Sequence, residues 1–215
     1  MIVVVDYGMG NLRSAQKGLE RAGFDAAISQ NPADLADAAG IVLPGVGAFK
    51  DCFTGLTERG FVEPLMEQAR NNKPLFGICV GMQLLFEYGE EGEGSRGLGI
   101  LPGRVVRFPD AGPTGLKVPH MGWNTLDPVA GRKCPLLKYT SPSPYVYFLH
   151  SYYPVPADPG VVYATTTYGL RFASLVGRGS VFGSQFHPEK SQREGIGILR
   201  AFGEFVMQGA ASARL

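Results

Sequence analysis

The sequence predicts an α/β fold: an open, largely parallel (mixed) sheet with helices on both faces and a nucleophile elbow at a strand C-terminal end. Three observations carry this. The first half alternates short all-apolar runs with amphipathic stretches, as strand–helix–strand units do. The second half changes to short β-prone runs punctuated by Gly and Pro. Between them, Gly77-Ile78-Cys79-Val80-Gly81 sits where an apolar run passes into a helical one.

Ile2–Val5 is apolar throughout, as expected of a strand buried on both faces. Asn11 can cap a helix carrying Leu12, Ala15, Leu19 and Ala22 on one face, and Gly23 supplies its stop. Ala26–Ile28 is a weak strand, and Asn31-Pro32 opens a short helix in cap-then-Pro order. Ile41–Leu43 is a third strand, ending at Pro44-Gly45. Val62–Arg70 is helical through Val62, Leu65, Met66 and Ala69. Leu75–Ile78 is the fourth strand and leads into a helix expected from Val80 to about Tyr88.

Gly89–Gly99 reads as a loop rich in Gly and Glu. Strands are expected at Val105–Phe108, Tyr145–Leu149, Val161–Tyr168, Ala173–Val176 and Val181–Phe186, with a hairpin at Gly177-Arg178-Gly179. Ser191 and Glu194 form a capping box for a last helix bearing Leu199, Phe202 and Val206. One domain over residues 1–209 is expected, with Ala210–Leu215 as a frayed tail.

Composition narrows the function classes. The chain has 215 residues, 45% of them hydrophobic and 18% charged, which suits a globular protein and excludes intrinsic disorder. Twenty basic against nineteen acidic residues leave a net charge of +1, with no basic cluster to bind nucleic acid or a membrane surface. No apolar run approaches the roughly 20 residues of a transmembrane helix, and the N-terminus lacks the basic start of a signal peptide. Cys52, Cys79 and Cys134 are odd in number with no C-x-x-C pair, which suits a reducing cytoplasm and offers no zinc knuckle.

Gly77-Ile78-Cys79-Val80-Gly81 has the form G-x-nucleophile-x-G. A tight strand-to-helix turn pushes one side chain out, and small residues must flank it. The helix start beneath Cys79 would stabilise a thiolate, and the Val80 N–H would donate to an oxyanion. Chance glycines beside a structural cysteine are the alternative at this point. A thiolate needs a base, and of His120, His150 and His187 the last fits best. It ends a β-run in Gln185-Phe186-His187-Pro188-Glu189, where Pro188 keeps the chain extended and Glu189 can orient the ring. His120 and His150 are expected to supply hydrogen bonds. Pro44-Gly45-Val46-Gly47 follows the third strand, and the peptide of Gly47 is the expected second oxyanion donor. Asp6-Tyr7-Gly8-Met9-Gly10-Asn11 imitates a dinucleotide fingerprint, but Arg13 occupies the place of its third glycine.

Cys79, His187 and Glu189, in this order and within these motifs, resemble the class I (triad) glutamine amidotransferases. Pro44–Phe49, Asp6–Asn11, Pro119-His120-Met121-Gly122-Trp123-Asn124 and Phe186–Ser191 are similar to the glutaminase subunits of imidazole glycerol phosphate synthase. The resemblance implies hydrolysis of glutamine without a cofactor or metal. Ammonia would pass to a (β/α)8-barrel cyclase subunit that makes imidazole glycerol phosphate and an aminoimidazole carboxamide ribonucleotide in histidine biosynthesis. It further implies that Gly45, Gln83, Ser151 and Tyr152 bind substrate, and that Asn11, His120, Met121, Trp123 and Lys190 face the partner. Activity without the partner is then expected to be low. A related cysteine hydrolase, an amidotransferase for another acceptor and an inactive binding module are the rival readings.

Overall fold

The computed structural model describes residues 1–109 and 117–212, with side chains to Gly209. In chain order the elements of the first half are β1 (Ile2–Val5), α1 (Leu12–Arg21), β2 (Ala26–Ser29), α2 (Asp34–Asp37), β3 (Gly40–Gly45), α3 (Phe49–Glu58), α4 (Val62–Arg70), β4 (Leu75–Cys79) and α5 (Val80–Gln83). There follow β5 (Phe86–Gly89), β6 (Ser95–Arg96), β7 (Leu101–Arg107), β8 (His120–Thr125), β9 (Asp127–Pro128), β10 (Tyr145–His150) and β11 (Tyr152–Pro156). The chain then forms β12 (Val162–Tyr168), β13 (Leu170–Arg178), β14 (Val181–Ser184) and α6 (Gln192–Ser212).

Eight strands form the main sheet in the order β2-β1-β3-β4-β14-β13-β12-β9. The pairs from β2 to β14 are parallel, and the sheet turns antiparallel beyond β14. This is the expected mixed α/β architecture. β1 is buried along its whole length, each side chain worth roughly 1.5–3 kcal/mol of transfer free energy. α1 ends as expected: the Gly23 N–H reaches the Glu20 carbonyl and the Phe24 N–H the Leu19 carbonyl, a Schellman closure with Gly23 at φ +96°. β13 and β14 form the hairpin around Gly179.

The C-terminal ends of β3, β4 and β14 lie side by side. Gly45 pairs with Cys79 and Ser184 with Ile78, so the segment after Ser184 emerges next to Cys79. That is where open α/β sheets place their ligands. A ribbon of β8 and β10 and a second small sheet, β11-β7-β5-β6, complete the described structure. The ribbon is fastened over the sheet end by the His187 N–H, which donates to the Tyr147 carbonyl at 2.9 Å.

Several expectations need correction. The helix after Cys79 is one turn, Val80–Gln83, and does not run on to Tyr88, because Phe86–Gly89 pairs with β7 instead. Met82, Leu84, Leu85 and Phe86 are all fully buried, and an apolar run without a polar side cannot distinguish helix from strand by periodicity. α3 has no counterpart in the expectations, although Phe49, Cys52, Phe53 and Leu56 recur at helical spacing and are its buried face. The Asn11 side chain makes no cap bond. The capping box does not form either: Ser191 Oγ donates to the His187 carbonyl at 2.6 Å, and Glu194 accepts the Ser141 N–H at 3.0 Å. α6 continues to Ser212, and of the tail expected from Ala210 residues 213–215 lie outside the described residues. Among the described residues no helix is long and apolar enough to cross a membrane.

Gly81 fixes how closely the turn after β4 can approach β3, since a Cβ there would collide with the Leu43 carbonyl oxygen. The obstacle is backbone, so no side chain can move aside. Gly81→Ala is expected to cost at least about 2 kcal/mol of stability, read as a fall in denaturant midpoint at unchanged slope. An unchanged midpoint would refute this account of the elbow.

Candidate active site

Cys79 ends β4 with φ +55° and ψ −111°, an unusual conformation for a residue with a side chain. Strain of this kind costs of order 1–3 kcal/mol and persists only where the surroundings over-determine it. Here Gly77 and Gly81 let the turn close: a Cβ on Gly77 would stand 2.6 Å from the Gly81 carbonyl oxygen. Sγ lies 3.6 Å from the Leu149 carbonyl oxygen and 3.8 Å from Nε2 of Gln185. A one-turn helix carries little macrodipole, so the support for a negative sulfur comes from the side chains around it.

His187 is the chief of these. Its Nδ1 lies 2.8 Å from Glu189 Oε1, and both side chains are 3% exposed. A carboxylate only accepts, so Nδ1 carries the proton and Nε2 is left for the thiol. Burial, the largest single influence, would lower the His187 pKa, but the charge and hydrogen bond of Cys79 and then those of Glu189 overcome it and raise it. Both partners therefore favour the protonated, imidazolium form of the ring. The chain does not reach Glu189 in an extended form, as the position of Pro188 suggests; residues 188–190 make a 3-10 turn, held by Ser191 Oγ on the His187 carbonyl. Glu189 packs on α1 at Gly18, where a Cβ would come within 3.5 Å of the Glu189 Cβ and 2.7 Å of Leu199 Cδ1.

A cavity of about 260 Å³ opens on Cys79 and His187. Sites for drug-sized ligands run to about 300–1,000 Å³, so this one suits something the size of an amino acid. Val46, Gly47, Val80, Gln83, Ser151 and Tyr152 line it, as do His150 and Lys190. Gly45 is absent from the lining. It packs on the elbow, where a Cβ would stand 2.6 Å from the Gly81 nitrogen. Gln83 Nε2 donates to the Tyr152 carbonyl at 2.9 Å and to Gln185 Oε1 at 3.0 Å, so a chain of amides runs from the cavity wall to the sulfur.

The sequence reading passes over Gln185 and Glu91. Alternation along an extended segment places Gln185 on the side of His187, so a signal was present. Glu91 also lines the cavity, but it belongs to a Gly-rich loop without periodicity and gives no signal. Its Oε2 accepts the Phe49 N–H at 2.6 Å.

The Pro44–Gly47 loop is held from behind. Tyr7 donates its hydroxyl to the Pro44 carbonyl at 2.8 Å, and Cys52 Sγ donates to the Val46 carbonyl at 3.4 Å. Burial raises both pKa values, that of Cys52 to about 11, so both groups remain protonated donors. With the Val46 carbonyl turned toward α3, the N–H of Gly47 on the same trans peptide points the opposite way. Gly47 itself is at φ +98°.

Of the residues expected to face a partner, Met121 is 66% exposed and Trp123 37%, both on the outer face of the ribbon beside Tyr145 and Leu149. Asn11 and Lys190 are exposed as well. His120 is not: its ring is buried between Phe148 and Tyr168, because alternation along β8 turns it inward when Met121 and Trp123 face out. Cys134 is buried, and burial raises its pKa to about 11. Among the described residues no group of three or more His, Cys, Asp or Glu side chains could hold a metal ion.

The chain is similar to known proteins over nearly its whole length. The chain is 52% identical to the imidazole glycerol phosphate synthase subunit HisH of Syntrophotalea carbinolica, over 95% of this chain and all of that one. It is 48% identical to the subunit HisH of Geobacter sulfurreducens, over 94% and 98%. Among solved structures, a glutamine amidotransferase superposes with a TM-score of 0.74 at 22% identity, covering 96% of this chain and all of that chain. PurLQS from Thermotoga maritima gives 0.69, also at 22% identity, over 100% and 98%, a likeness of fold. Residues 3–203 match the family "Glutamine amidotransferase class-I". This chain belongs to that family.

Proposed function

We propose that the chain hydrolyses glutamine to glutamate and ammonia and hands the ammonia to a (β/α)8-barrel cyclase subunit of imidazole glycerol phosphate synthase, in the cytoplasm. The observation that carries this is one small cavity lined by Cys79, His187 and Gln83, with Glu189 on the ring and Gln185 linking Gln83 to the sulfur behind its wall.

The thiolate of Cys79 attacks the side-chain amide carbon, and the N–H groups of Val80 and Gly47 receive the oxyanion. The tetrahedral adduct expels ammonia as His187 returns the proton to nitrogen, leaving a thioester. Water, deprotonated by His187, attacks the thioester carbon; glutamate departs and the thiol is restored. Glu189 holds the ring and balances the imidazolium charge. At the other end of the substrate, the Glu91 carboxylate can meet the α-ammonium, while Gln83, Ser151 and Tyr152 form the wall. Gly45 contributes through the elbow it lets close.

The partner would seat on the outer face of β8 and β10. Met121, Trp123, Tyr145 and Leu149 expose apolar surface there, and Leu149 and Lys190 also border the cavity. A partner on this rim would cover the exit of the ammonia, which in open water at neutral pH takes up a proton and loses its nucleophilicity. Asn11 and Lys190 would belong to the polar rim, and His120 would support the face from beneath.

Three outcomes follow. Cys79→Ala should lower ammonia release in the complex at least about 1,000-fold with an unchanged circular dichroism spectrum; retained activity would refute the mechanism. The charge and hydrogen bond of Glu189 raise the His187 pKa, and losing the ring proton on the alkaline side removes the acid for departing ammonia. Glu189→Gln should therefore shift the alkaline limb of the pH–rate profile to lower pH and reduce kcat by about 10–100-fold; a limb that stays or rises contradicts the assignment. Trp123→Ala should weaken binding of the cyclase by about tenfold or more in titration calorimetry, as loss of an aromatic anchor does. Unchanged affinity would move the interface elsewhere.

A further inference from the structure

Beneath the ribbon lies a chain of side chains that the chemistry above does not use. Asn124 is oriented by backbone groups: its Oδ1 accepts the Thr125 N–H at 2.8 Å, and its Nδ2 donates to the Thr167 carbonyl at 3.0 Å. The same Nδ2 lies 3.3 Å from His120 Nε2. His120 Nδ1 lies 3.0 Å from His150 Nε2, and His150 Nδ1 lies 2.8 Å from the Tyr152 carbonyl oxygen. That oxygen also receives Gln83 Nε2 at 2.9 Å.

Both ends of this chain have only one possible sense. The Tyr152 carbonyl can only accept, so His150 must carry its proton on Nδ1 and offer Nε2 as an acceptor. His120 must then donate from Nδ1, leaving its Nε2 to accept from Asn124. Each link holds one proton, and neither ring can take up a second without breaking a link. Both rings are almost fully buried, and the rings packed on them are Phe108, Phe148, Tyr168 and Phe172, none of them charged at neutral pH.

We infer that Asn124, His120 and His150 form a one-way hydrogen-bonded relay that positions the Tyr152 carbonyl, and through it Gln83, from the strand that carries Trp123. The three are positioning residues. The relay runs from the outer ribbon to the cavity wall, so the face on which a partner would seat and the wall on which a substrate would rest share one string of oriented groups. The desolvation that lowers the pKa of His120 to about 4 and of His150 to about 3 agrees with both rings staying neutral.

Nitrogen-15 NMR of the full wild-type chain at pH 7 reads the relay directly. Free neutral histidine favours the proton on Nε2, whereas both of these rings should show it on Nδ1; an Nε2 proton or a charged ring at either position overturns the inference. The kinetic arm rests on the glutamine-hydrolysis reading. His120 does not line the cavity, so His120→Phe keeps a ring in the stack and removes only the polar link. In the complex it should raise KM for glutamine about threefold to tenfold with a smaller change in kcat, the scale of one buried hydrogen bond. His120→Asn, whose amide nitrogen takes the place of Nδ1, should restore KM to within about twofold. An unchanged KM in His120→Phe overturns the relay. A wild-type complex that releases no ammonia sinks the hydrolysis reading instead, and the NMR result still decides the relay.

Discussion

Everything at this site depends on two backbones passing closer than any side chain would permit. β3 and the turn after β4 meet where Gly81 faces the Leu43 carbonyl and Gly45 faces the Gly81 nitrogen. Because they meet, Cys79 is held at φ +55° with its sulfur turned into the cavity. Because β14 runs beside β4, the segment that follows Ser184 delivers Gln185 and His187 to the same place. Sheet register supplies the coarse positioning; glycine supplies the last ångström.

The backbone around this point is ordered by hydrogen bonds that its N–H and carbonyl groups make. The Tyr147 carbonyl accepts the His187 N–H, Ser191 Oγ donates to the His187 carbonyl, and Tyr7 and Cys52 donate to the carbonyls of Pro44 and Val46. Tyr7 and Cys52 do so as buried neutral donors, whose pKa values burial has raised. A neutral donor in an apolar setting holds an acceptor without adding a charge that would compete with the sulfur. The loop that borders the cavity is thus oriented from its back while its front stays open.

Much of this could be read from sequence because the rules involved are local. The all-apolar β1, the Gly23 stop of α1, the 62–70 helix and the elbow around Cys79 each declare themselves within a few residues. What was hidden required knowledge of pairing. The run after Gln83 has no polar side, so only its ladder with β7 shows that it leaves the helix. Ser191 and Glu194 have the right types for a capping box, yet both find better partners across space, in the His187 carbonyl and the Ser141 N–H. Glu91 lies in a loop whose composition says only that it is a loop. His120 shares a motif with Met121 and Trp123, which face out, yet alternation along β8 turns its ring inward.

The three histidines show how environment assigns a role that residue type leaves open. All three are buried, and burial alone lowers an imidazole pKa. For His120 and His150 that effect prevails: the rings packed on them are aromatic, their hydrogen-bond partners are an amide, a carbonyl and each other, and the charge of His187 lowers His150 further. His187 bears the same penalty and is nevertheless raised, since Cys79 stands on one side and Glu189 on the other. Only a ring between two groups that can be negative gains from holding a second proton. It follows that the acid and base of this cavity can be one residue, and that the other two are suited to fixing positions through tautomers that do not change.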